Sequence, residues 1–186
     1  MKRKSLAIAF ALFVFFVMFN EDVNSFRILN NNKEKIGYLI ENGFPKEFIE
    51  MPNKIIYVED DCINSDYPKC TVGQMSFDKN IKLATNRDND EILKTFVHEM
   101  GHILYHFYLN ENERNYYNSL WTNTTGVTKY GDTTPSEDFS EYFTIINGYK
   151  SDYGDFKQKH KDKRREEFIF KALEEYPQFD LRNITT

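Results

Sequence analysis

Residues 95–107 read TFVHEMGHILYHF, and three of the chain's four histidines stand in this one stretch. His98 and His102 bracket Glu99 in the pattern H-E-x-x-H. On a helix, residues four apart face the same way and their side chains meet, so the pattern aims two imidazoles at one point. Glu99 then stands one residue round from His98, within reach of a water held at that point. Two neutral imidazoles beside an open position suit zinc, and the glutamate suits a general base that takes the water's proton. By chance H-E-x-x-H arises in on the order of one in a hundred sequences of this composition, so it needs a further ligand to carry weight. Gly101 falls mid-helix, where glycine costs about 1 kcal/mol relative to alanine, which implies that another segment or a ligand comes close there. The plain alternative is a helix whose histidines merely share a face.

His106 continues the stripe but cannot complete the site. It lies eight residues beyond His98, which places their Cα atoms roughly 12 Å apart along a straight helix. Two nitrogens on one zinc can be no more than about 4 Å apart. The metzincin pattern would need glycine at 105 and histidine at 108, where this chain has Tyr105 and Tyr108. His106 therefore reads as a wall or core residue. His160, in KQKHKDKRR, reads as part of a solvated face.

The third ligand must come from another segment, and residues 129–143, KYGDTTPSEDFSEYF, offer it. Thr134 is a natural N-cap, Pro135 suits the first helical position, and Glu137 falls where a capping box closes. Glu137 and Glu141 are four apart and share a helix face. That spacing suits one carboxylate on a metal and a second holding a ligand histidine by its far ring nitrogen. In the alternative reading Glu137 only closes the capping box and Glu141 is solvated. Phe139, Tyr142, Phe143 and Ile146 supply an apolar stripe in either case.

Together, HEMGH (98–102) and YGDTTPSEDFSEYF (130–143) resemble the catalytic core of the anthrax lethal factor family, which includes small secreted Pro-Pro endopeptidases. The shared pattern is H-E-x-G-H, then Tyr-Gly, a short turn and a Glu-x-x-x-Glu helix, and it covers residues 95–147. The resemblance implies that His98, His102 and Glu137 hold one Zn2+ per chain and that Glu99 is the general base. It implies that Tyr130, seven residues before Glu137, donates its hydroxyl to the developing oxyanion, and that Glu141 orients a ligand histidine. A phenol is a fixed donor at neutral pH, which suits that role. Two departures stand out. The family's tryptophan in the loop before the motif helix has no counterpart, since Trp121 follows that helix and residues 60–80 offer only Tyr67 and Phe77. Asp138 also occupies a position where an apolar residue is expected.

Residues 1–25 read as a signal peptide. Lys2, Arg3 and Lys4 precede an apolar run from Leu6 to Phe19, 14 residues long, which suits a signal core and is short for a membrane span. An uncleaved anchor over residues 5–20 is the alternative. Cleavage after Ser25 removes three basic and two acidic residues, taking the net charge from −5 to −6. An acidic domain of this kind speaks against nucleic acid as a partner. The 16% aromatic content speaks against disorder. Cys62 and Cys70 are the only cysteines; export would favour a disulfide between them, and two free thiols are the alternative.

Residues 26–186 then form a single domain with an αβ half to about 109 and a helical half from about 110. In the first half, 30–45 reads as an amphipathic helix, 53–60 as a strand, and 71–77 and 80–85 as two strands joined around Asp78–Asn80. The strand NIKLAT (80–85) is expected at the sheet edge, with Lys82 and Leu83 flanking the cleft. The motif helix is expected from Asp88–Asp90 to about Leu109, followed by helices over 112–121, 135–148 and 165–176. The fold class is α+β: a small mixed sheet and helices packed on the active-site helix, gluzincin-like. The function expected is a secreted, monomeric zinc metalloendopeptidase acting on an extended peptide, with Pro-Pro bonds as the implied target. A catalytically silent zinc-binding relative acting as a binding module is the alternative.

Overall fold

The computed structural model describes Gly37, Ile40, Glu41 and residues 43–64, 70–149 and 162–182. The segment expected to be a signal peptide, most of the helix expected over 30–45, Tyr67 and His160 lie outside the described residues. Among the described residues no helix is long and apolar enough to cross a membrane. Residues Leu39–Thr186 form one unit; the other, Met1–Tyr38, falls almost wholly outside the described residues.

The architecture is α+β. A single-turn helix α1 (Lys46–Ile49) leads to β1 (Lys54–Val58), β2 (Gly73–Met75) and β3 (Asn80–Ala84). Then follow α2 (Asn89–Ile103), a π-helical turn (Leu104–Tyr108), α3 (Glu111–Thr122), α4 (Pro135–Ile146), α5 (Lys163–Glu175) and a 3-10 turn (Pro177–Phe179). The sheet order is β1-β3-β2. β1 runs parallel to β3, from Lys54 opposite Asn80 to Val58 opposite Ala84, and β2 runs antiparallel to β3, with Gln74 opposite Lys82.

This order corrects the expectation for NIKLAT. β3 is the central strand, hydrogen-bonded on both sides, so Lys82 and Leu83 cannot pair with another chain. Ile81 and Leu83, the alternate residues of β3, are fully buried, which is why this strand belongs in the middle. The edge next to α2 is β2. Val72 O accepts from Ala84 N and Ser76 N donates to Asn80 O, so by strand alternation Gly73 and Met75 turn their backbone groups to the other side.

Helix α2 is capped by Asp88, whose carboxylate accepts from Glu91 N at 2.8 Å. Ile92, Phe96, Val97, Met100 and Ile103 form its buried face. Phe48 lies against both Phe96, at 5.7 Å between ring centroids, and Phe179, at 6.2 Å. Residues from both ends of the unit thus close over this helix. The expected helix to Leu109 continues after Ile103 as a π turn, with Leu109 N donating to Leu104 O at 3.0 Å.

α4 crosses α2 at Gly101. A Cβ added there would lie 2.9 Å from Ser140 Cα, so only glycine admits this approach. On the far side of α4, Asp138 is fully buried. It accepts from Tyr117 Oη at 2.8 Å, Val127 N at 2.6 Å and Arg165 Nη1 at 2.6 Å. The apolar residue expected at 138 is replaced by a carboxylate because three donors from three segments converge there, and burying a charge requires such partners. Asp138 thereby ties α3, the loop after it and α5 to α4.

Gly101→Val inserts a branched side chain against backbone that cannot yield. It is expected to lower stability by about 2 kcal/mol, within the range for overpacking. The readout is a lower urea midpoint at unchanged m.

Candidate metal centre

His98 and His102 project from α2, and Glu137 from the first turn of α4. His98 Nε2 lies 3.1 Å from Glu137 Oε2, and His102 Nε2 lies 3.2 Å from the same oxygen. One ligand atom from each of the three falls within 4.8 Å of the others, so this group could hold a metal ion. The Thr134 hydroxyl caps α4 by accepting from Glu137 N at 3.1 Å. The Glu137 carboxylate turns instead to the histidines, leaving the capping box half made.

Each neighbouring residue singled out in the sequence has a definite place. Glu141 is 3% exposed, not solvated, and its Oε1 lies 3.1 Å from His98 Nδ1. Tyr130 Oη donates to Glu137 Oε1 at 3.2 Å, and its ring lies 5.9 Å from that of His98. Glu99 is buried on the floor of the cleft, where the backbone amide of Met75 in β2 favours its charged form. A Cβ on Gly73 would lie 2.6 Å from Glu99 Oε1, so the edge strand reaches the glutamate only because residue 73 has no side chain. His106 stands on the cleft wall, exposed and outside the metal group. The cleft, about 530 Å³, runs from these residues past β2 to Phe77 on its rim, and Phe77 is 94% exposed.

Other contributors carried no sequence signal. Ser136 Oγ lies 2.8 Å from His102 Nδ1 and 2.9 Å from His106 Nε2. In the sequence it is only the residue between a proline and a ligand candidate. Trp121 Nε1 donates to Gly131 O at 3.0 Å, and with the Asp138–Val127 bond it holds the turn that carries Tyr130. A disulfide joins Cys62 to Cys70, bracing the segment that enters β2.

The electrostatics follow from burying two imidazoles among three carboxylates. Burial alone would lower His98, but hydrogen bonds to Glu137 and Glu141 outweigh it and push His98 up to about 10. Glu137 moves the opposite way: burial raises it, yet the two histidines hold it well below the usual carboxylate range. Burial pushes Glu99 up, against the pull of His102 and His98. The partial burial of its ring lowers His106, with His102 and Arg114 acting in the same direction.

No family model, no curated protein and no solved structure matches this chain.

These shifts set the stability of the metal-free protein. His98 has a folded value near 10 against an ordinary 6.5, so its contribution is complete below pH 6.5 and is lost as pH rises through about 10. Glu137, depressed from an ordinary 4.5, contributes above that pH and loses its contribution as pH falls below it. Urea unfolding after chelation should therefore give its highest midpoint between these limits and decline toward alkaline pH. His98→Gln should flatten the alkaline limb; an equally steep decline in that variant would refute the assignment.

Proposed function

We propose that this chain is a secreted zinc-dependent endopeptidase of the lethal factor-like, gluzincin type. The observation that carries the reading is the convergence of His98, His102 and Glu137 on one point of a cleft that also presents Glu99 and Tyr130. Two imidazoles and a carboxylate with one side open are the donor set of a catalytic zinc. Ligands around a tetrahedral ion with bonds near 2.0–2.1 Å stand about 3.3 Å apart, and the two imidazole–carboxylate distances here are 3.1 and 3.2 Å. Secretion fits the Cys62–Cys70 disulfide, which belongs to oxidising compartments.

When bound, zinc supplies Lewis acidity, making water more acidic and polarising a carbonyl. The chain's own residues do the rest. Glu99, raised by burial, takes the proton of the attacking water and returns it to the departing amine. Tyr130 turns its hydroxyl from Glu137 to the substrate oxygen on which negative charge develops. Glu141 fixes the ring of His98 by accepting from Nδ1. An extended peptide adds along the outer edge of β2 beside Gly73. A Pro-Pro target follows from the resemblance alone, and Phe77 is the exposed aromatic on the cleft rim that would meet residues beside the cut bond.

The test is digestion of a peptide library varied around a central Pro-Pro, with zinc-loaded protein and mass spectrometric readout. Glu99→Gln should abolish cutting while zinc still binds, and Tyr130→Phe should lower kcat by about 10²–10³-fold. Stoichiometric zinc with no cut anywhere would favour the silent binding module. Gly73→Ala would place its methyl hard against Thr95 Cγ2 and 2.6 Å from Glu99 Oε1. It should cost about 1–3 kcal/mol of stability and, by moving Glu99, lower kcat by about 10²-fold.

A further inference from the structure

The two histidines of the metal group are held from behind by different chemistry. His98 Nδ1 faces the Glu141 carboxylate at 3.1 Å, which can only accept, so Nδ1 carries a proton and Nε2, on the Glu137 side, is the nitrogen a metal would take. His102 Nδ1 faces a serine hydroxyl at 2.8 Å. A hydroxyl both donates and accepts. By itself Ser136 would be as content to donate to His102 Nδ1, leaving a proton on Nε2 and closing that nitrogen to a metal. The hydroxyl does not stand alone, because His106 Nε2 lies 2.9 Å from the same oxygen. One hydroxyl proton cannot serve two imidazoles, so a Ser136 hydroxyl that donates to one ring can only accept from the other. The π turn between Leu104 and Tyr108 carries His106, and its ring lies 6.2 Å from that of His102, close to parallel.

We propose that Ser136 and His106 act as one positioning pair for His102. His106 Nε2 accepts the Ser136 hydroxyl proton, Ser136 Oγ then accepts from His102 Nδ1–H, and His102 Nε2 is left free to bind the metal. His106 thus has a part in the site without touching the ion. The inference rests on the metal site proposed above and adds to it a residue outside the ligand set.

The test measures zinc affinity by competition with a chelating dye, for the wild-type protein and for Ser136→Ala, His106→Phe and the double variant. Each single change should weaken zinc about tenfold, as outer partners of ligand histidines do. The double variant should be no weaker than Ser136→Ala, because the two residues form one chain. Ser136→Thr, which keeps the hydroxyl, should bind like the wild type. Additive losses, or single variants that bind as tightly as the wild type, would overturn the proposal. Nitrogen-15 NMR of the zinc-loaded wild-type protein tests it without any substitution. A proton on His102 Nδ1 and a bare His106 Nε2 are expected, and a proton on His106 Nε2 would overturn it. A wild-type protein that takes up no zinc would overturn the metal site itself, a result distinct from unchanged variants of a protein that binds.

Discussion

The crossing of α2 and α4 at Gly101 and Ser140 sets the geometry on which the site depends. With no side chain at 101, the two backbones approach until a Cβ would sit 2.9 Å from Ser140 Cα. That closeness brings a short carboxylate on one helix to two imidazoles on the other. Ser140 is one turn beyond Ser136 and Glu137, and Gly101 lies just before His102, so the contact point and the metal group share the same stretch of both helices. The helix-propensity cost of a mid-helix glycine, about 1 kcal/mol, is offset by an approach no other residue permits.

Around this crossing the charges are arranged in two sets that do not mix. Glu137, Glu141 and Glu99 gather on the cleft side with His98 and His102. Asp138, next in sequence to Glu137, faces the opposite way and takes Arg165, Tyr117 and the Val127 amide. A helix makes this possible, since consecutive residues point about 100° apart. The buried Asp138–Arg165 pair joins α5 to the loop that bears Tyr130, so the placement of the proposed oxyanion donor depends on a residue more than thirty positions later in the chain. A buried pair of this kind is costly to break, because the surviving charge keeps its desolvation penalty.

Much of this was legible because the signals were local. The spacing of His98, Glu99 and His102, the Thr134–Pro135 start of α4 and the four-residue step from Glu137 to Glu141 each depend on one helix period. The α+β class and the positions of the strands rest on equally short patterns. What failed was non-local. NIKLAT has the same alternation whether it lies at an edge or in the centre; which of the two it adopts depends on β1 pairing with it from a distant part of the chain. Ser136 and His106 were opaque for the same reason, since nothing within either segment says that one faces the other.

By itself the sequence determined which residues share a helix face, where α2 and α4 begin, and that His106 lies too far along α2 to bind a metal with His98. Those are consequences of fixed rise and turn along a single element. The tertiary structure alone decided that Glu137 meets the histidines instead of closing its own cap, that β2 and not β3 borders the cleft, and that Asp138 is a buried anchor. Each of these is a contact between segments remote in sequence, selected by packing and by the need to satisfy buried charge, and no local period encodes it.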